Sequence, residues 1–85
     1  MPPVTIYTTP YCPYCARAKS LLTRKGVAFE EIDVSRSNEA RNSMVQRANG
    51  GYTVPQIFIG ERHVGGCDDI HALDAKGELD RLLQS

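Results

Sequence analysis

The chain has 85 residues, of which 41% are apolar and 24% charged, ordinary values for a globular domain that exclude a disordered chain. Ten basic residues balance ten acidic ones, which excludes a protein that grips nucleic acid or an anionic membrane through a basic excess; recognition must rest on a local site. No apolar run approaches the about 18 residues of a membrane span, and Met1-Pro2-Pro3-Val4-Thr5-Ile6 lacks the basic and apolar segments of a signal peptide. The expectation is one domain over residues 1–85, a monomer working in the cytoplasm with no membrane or nucleic-acid partner.

Val4-Thr5-Ile6-Tyr7-Thr8 is rich in β-branched and aromatic residues and reads as a strand. Tyr14, Ala18, Leu21, Leu22 and Lys25 then fall at helical spacing. Pro13 suits the first helical position, where its missing N–H costs nothing, and Gly26 stands where a helix ends. Residues 28–34 form a second strand of open register, because Phe29 and Ile32 do not alternate strictly. Residues 33–37 supply capping groups for a second helix, whose apolar stripe is Ala40, Met44, Val45 and Ala48; Asn49-Gly50-Gly51 stops it.

Gln56-Ile57-Phe58-Ile59 and Arg62-His63-Val64 flank Gly60-Glu61, a two-residue loop with glycine first that predicts a type II′ hairpin. After Gly65-Gly66-Cys67, Asp68 and Asp69 open a third helical stretch as a glycine turn followed by an aspartate N-cap, with Ile70 and Leu73 on its apolar side. Gly77 interrupts it before a last helix carrying Leu79, Leu82 and Leu83. The order β-α-β-α-β-β-α places a right-handed parallel crossover first and an antiparallel hairpin later. The fold class is therefore α/β, a mixed four-stranded sheet flanked by helices.

Three cysteines, an odd number, argue against a structural disulfide framework; a close pair in a reducing compartment is catalytic or metal-binding. Cys12-Pro13-Tyr14-Cys15 stands at the junction of the first strand and first helix. Unpaired backbone N–H groups and the helix dipole there favour an anion at Cys12, hence the thiolate that acts as nucleophile in disulfide exchange. Cys15, one turn on, is within reach of a disulfide formed by Cys12. The competing chemistry is zinc held by Cys12, Cys15, Cys67 and His71. The strand–helix junction favours redox chemistry and no metal.

Ile6-Tyr7-Thr8 leading into Cys12-Pro13-Tyr14-Cys15, then Thr53-Val54-Pro55, then Gly65-Gly66-Cys67-Asp68-Asp69, resembles the dithiol glutaredoxins over essentially the whole chain. The resemblance implies a thioredoxin-like fold and a thiol–disulfide oxidoreductase with Cys12 and Cys15 as catalytic pair. Glutathione would be its co-substrate rather than a tightly bound cofactor. It also implies a cis bond before Pro55 and a glutathione site formed by Tyr14, Thr53, Val54, Pro55, Gln56, Gly66, Cys67, Asp68 and Asp69. Within that site the Val54 backbone would pair with a peptide-like substrate. Free N–H groups at Cys67 and Asp68 would hold a carboxylate, Asp68 or Asp69 an ammonium, and Gln56 the far carboxylate of glutathione.

Partners would be disulfide-bonded or glutathionylated proteins. Alternatives are a redoxin reduced by thioredoxin reductase and an iron–sulfur cluster carrier. One departure stands out: Thr8-Thr9-Pro10-Tyr11 holds no lysine where many members carry one.

Overall fold

The computed structural model describes residues 2–84. Its elements are β1 (Val4–Thr8), α1 (Pro13–Arg24), β2 (Glu30–Asp33), α2 (Asn38–Arg47), β3 (Gln56–Ile59), β4 (Arg62–Gly65), α3 (Cys67–Ala75) and α4 (Glu78–Gln84). The sheet order is β2-β1-β3-β4. β1 runs parallel to β2 and antiparallel to β3, and β3 pairs antiparallel with β4. This is the mixed four-stranded sheet the sequence predicts. None of the described helices is long and apolar enough to cross a membrane.

Strand alternation divides the core in two. Val4 and Ile6 of β1, with Ile57 and Ile59 of β3, pack against Ala18, Leu21 and Leu22 of α1, Ile70 of α3, and Leu79 and Leu83 of α4. Tyr7 and Phe58, the intervening residues, join Val34, Met44 and Ala48 in a second cluster. Ile6, Leu22, Ile57 and Met44 are fully buried, and each such side chain stabilises the fold by about 1.5–3 kcal/mol. The Phe58 ring meets the Tyr7 ring edge-on at 5.6 Å, and the Arg47 guanidinium lies 4.2 Å from its centroid while donating to the Tyr7 hydroxyl at 2.8 Å.

The turns explain the boundaries. Gly26, at φ +71, ends α1 where the sequence places its stop. Gly60 has φ +60 and no positive φ occurs at Glu61, the pattern of a type II′ turn between paired Ile59 and Arg62. Two expectations need correction. β2 is shorter than residues 28–34: its register against β1 runs only over Glu30–Asp33. The N-cap of α3 is Gly66, not an aspartate. Asp69 sits at the third helical position and accepts from the Gly66 N–H at 2.9 Å, so the carboxylate reaches back to the cap residue instead of being it.

Candidate active site

β1 ends at Thr8, and the chain turns through Tyr11, which has φ +61 and is fully exposed, to deliver Cys12 to the start of α1. A non-glycine residue in the left-handed region carries strain of about 1–3 kcal/mol, a feature that concentrates at functional positions. Cys12 is the N-cap of α1, in extended conformation at φ −102 and ψ 108. Its sulfur takes the place that a serine or aspartate oxygen usually fills, accepting from the Cys15 N–H at 3.2 Å. Pro13 follows, spending no donor. A backbone donor is thus aimed at Sγ, which stands at the positive end of a twelve-residue helix.

Cys15 is the opposite case. Only 2% of it is exposed, and burial pushes its thiol from the ordinary 9.0 up to about 12, with the Cys12 sulfur adding to the rise. The Thr9 backbone and, more weakly, the Lys19 ammonium act in the other direction on Cys15. Both cysteines are free thiols in this structure. One sulfur is thus partly exposed and accepts a backbone N–H, and the other is protonated and buried beside it.

Two hollows flank the pair. The larger, about 540 Å³, is an open cleft whose walls include Thr9, Tyr11, Cys12, Cys15, Lys19 and Glu31. Lys19 pairs with Glu31 at 2.9 Å, and Thr8 donates to the same carboxylate oxygen at 2.8 Å. Those two contacts, Lys19 first, hold the Glu31 carboxyl below the usual carboxylate range. This cleft went unforeseen from sequence: nothing local announces that β2 brings Glu31 against α1.

The smaller hollow, about 200 Å³, is lined by Tyr14, Thr53, Val54, Pro55, Gly66, Cys67, Asp68 and Asp69. The structure therefore brings together eight of the nine residues that the family resemblance assigned to glutathione. Val54–Pro55 is cis, as that resemblance implied. Gly66 lies against the loop, a Cβ added there being 3.4 Å from the Pro55 carbonyl oxygen. Asp68 and Asp69 are exposed in the first turn of α3. Burial pushes the Cys67 thiol up, and the side chain packs into the larger core cluster.

Gln56 is the ninth, and it is placed differently. It is 5% exposed, and its amide donates to Thr53 Oγ1 at 3.2 Å and accepts from His63 Nε2 at 2.6 Å. The zinc arrangement is not assembled. Among the described residues no group of three or more His, Cys, Asp or Glu side chains is placed to hold a metal ion. His71 Nδ1 instead donates to the Cys67 carbonyl at 2.8 Å.

A mixed sheet with a dithiol at the start of its first helix and a cis-proline loop beside it defines a thioredoxin-like oxidoreductase. The family model named Glutaredoxin matches residues 4–64. A glutaredoxin of Pseudomonas aeruginosa is 60% identical over 85 residues, covering 100% of both chains. The solution structure of a Brucella melitensis glutaredoxin superposes at TM-score 0.85 with 60% identity, over 98% of this chain and 89% of that one. A buckwheat glutaredoxin, solved as its glutathione complex, superposes at 0.87 with 30% identity, over 98% of this chain and 77% of that one. The chain belongs to the glutaredoxin family, the glutathione-dependent thiol–disulfide oxidoreductases.

Proposed function

We propose that Cys12 is the nucleophile, Cys15 the resolving thiol, and the smaller hollow the seat of glutathione. The observation that carries the assignment of roles is the asymmetry of the pair: Cys12 Sγ accepts from a helix N–H, while Cys15 is buried and protonated. Cys12 thiolate attacks one sulfur of a protein disulfide. The S–S bond breaks, and its electron pair leaves on the other protein sulfur, which takes a proton from solvent. Cys15 then gives up its proton and attacks Cys12 Sγ, forming the Cys12–Cys15 disulfide and releasing the second protein thiol. Two glutathione molecules return the pair to dithiol: the first forms a mixed disulfide at Cys12, and the second displaces Cys12 as glutathione disulfide leaves. Removal of glutathione from a glutathionylated protein needs Cys12 alone.

In the smaller hollow, the Val54 backbone would pair with the peptide groups of glutathione. N–H groups at Cys67 and Asp68 would receive the γ-glutamyl carboxylate, with Asp68 against its ammonium. The hollow adjoins the dithiol through Tyr14, and the buckwheat relative's glutathione complex supports the same occupant. Its working form would be a single domain acting as a monomer, and its place the cytoplasm, where glutathione is the abundant reductant.

A glutathione-coupled assay with two substrates tests this reading. Cys12→Ser abolishes reduction of both a protein disulfide and a glutathionylated peptide. Cys15→Ser abolishes the first and retains the second. Activity persisting in Cys12→Ser rejects the assignment.

A further inference from the structure

Gln56 and His63 are the two polar side chains near the pocket that the reaction leaves without a task. Gln56 opens β3 and is almost wholly buried, yet none of its amide faces the smaller hollow. One end of that amide accepts from His63 on the neighbouring strand at 2.6 Å; the other donates to Thr53 Oγ1 at 3.2 Å. An amide oxygen only accepts, so His63 Nε2 carries the hydrogen. Thr53 is a wall of the hollow, directly before Val54 and Pro55. Gly51 leaves room for this amide, since a Cβ added there would lie 3.1 Å from Gln56 Nε2.

We propose that His63 and Gln56 are positioning residues for the glutathione pocket: His63 orients the buried Gln56 amide, and that amide holds Thr53, and with it the Val54 backbone, in binding position. The inference rests on reading the smaller hollow as the glutathione site. A glutamine amide left without its histidine partner has two near-equivalent orientations, and only one presents a donor to Thr53. Contact with His63 selects that one. Gln56 is buried between two exposed partners, Thr53 and His63, and an amide satisfied at both its nitrogen and its oxygen holds what it touches more rigidly than one satisfied at a single end.

His63 also stacks on Phe58, with centroids 5.0 Å apart and planes at 27°, so the test must separate the ring from the donor. His63→Phe keeps a ring on Phe58 and removes the donor; His63→Gln keeps an N–H donor at the same reach and removes the ring. The measurements are kcat and KM for a glutathionylated peptide, together with the amide NMR signals of Thr53 and Val54. His63→Phe raises KM about five-fold at unchanged kcat, the size of one neutral hydrogen bond, and displaces both signals. His63→Gln restores KM to near wild type, and Gln56→Leu matches His63→Phe.

A wild-type KM and unmoved signals in His63→Phe overturn the proposal. Equal impairment of His63→Phe and His63→Gln overturns it too, by assigning the effect to the stacked ring. If the wild-type protein does not turn over the peptide, the glutathione reading fails and the NMR arm decides. Signals displaced in His63→Phe and restored in His63→Gln then uphold the relay, and signals unmoved reject it.

Discussion

The dithiol turn and the pocket beside it lie next to each other, but they are built by different means. The turn closes within one stretch of chain: Cys12 Sγ accepts from Cys15, and the Cys12 carbonyl accepts from Ala16 at 3.0 Å. All it requires is that a helix begin at Pro13. The pocket draws on the first turn of α1, the loop before β3 and the start of α3, segments far apart in sequence. They meet because β3 pairs with β1 and because α1 and α3 share one core cluster. The dithiol turn is built locally, and the hollow is built by tertiary contacts. Changes to the pocket should therefore alter binding while leaving Cys12 reactivity intact.

The largest expected swing comes from the buried thiol of the dithiol turn. Above about 9 the unfolded chain releases the Cys15 proton, while the native state keeps it to about 12. The native state then binds more protons than the unfolded one, so stability falls as pH rises through that window. Urea unfolding of the reduced protein from pH 8 to 11 should show this decline, and Cys15→Ser should flatten it. An equal slope in both proteins would remove the buried-thiol explanation.

Next comes the turn beside the pocket wall, where Gly65 packs against the wall residue Asp69. Gly65 has φ +118, and a Cβ there would stand 2.8 Å from the Asp69 carboxyl carbon. Gly65→Ala is expected to cost about 2 kcal/mol of stability and to raise KM for a glutathionylated peptide. Alkylation of Cys12 by iodoacetamide should keep its wild-type rate; a slowed rate would break the separation between the two regions.

Asp68→Asn removes a charge facing the hollow without changing its shape. We expect KM to rise about ten-fold, the size of a hydrogen bond to a charged group, with stability unchanged by thermal melting. Asp69→Ala is the mildest. It removes the reach-back bond to Gly66 and should cost about 1 kcal/mol, visible as a lowered melting temperature. Retained stability there would deny Asp69 its capping role.

Much of this was legible from residues alone. The strand–helix junction at Cys12, the stop at Gly26, the II′ turn at Gly60 and the break at Gly77 are local events, each written in a few side chains, and each stands where the sequence puts it. Other features were not. The N-cap of α3 depends on whether Asp69 turns back to Gly66, a choice between near neighbours that composition does not make. The cleft carrying Lys19 and Glu31 needs β2 beside β1 and α1 above it. Gln56 follows directly on the Thr53-Val54-Pro55 segment and reads as a ligand; only the pairing of β3 with β4 sets His63 within reach and turns its amide inward.

By itself, the sequence determined that Cys12 stands at the start of a helix, because that start and its free N–H groups follow from a handful of neighbouring residues. The tertiary structure decided which cysteine is buried, which residues share a pocket wall, and what holds that wall in place. Burial and side-chain pairing depend on what strand order and helix packing bring near, and no local stretch of chain contains that information.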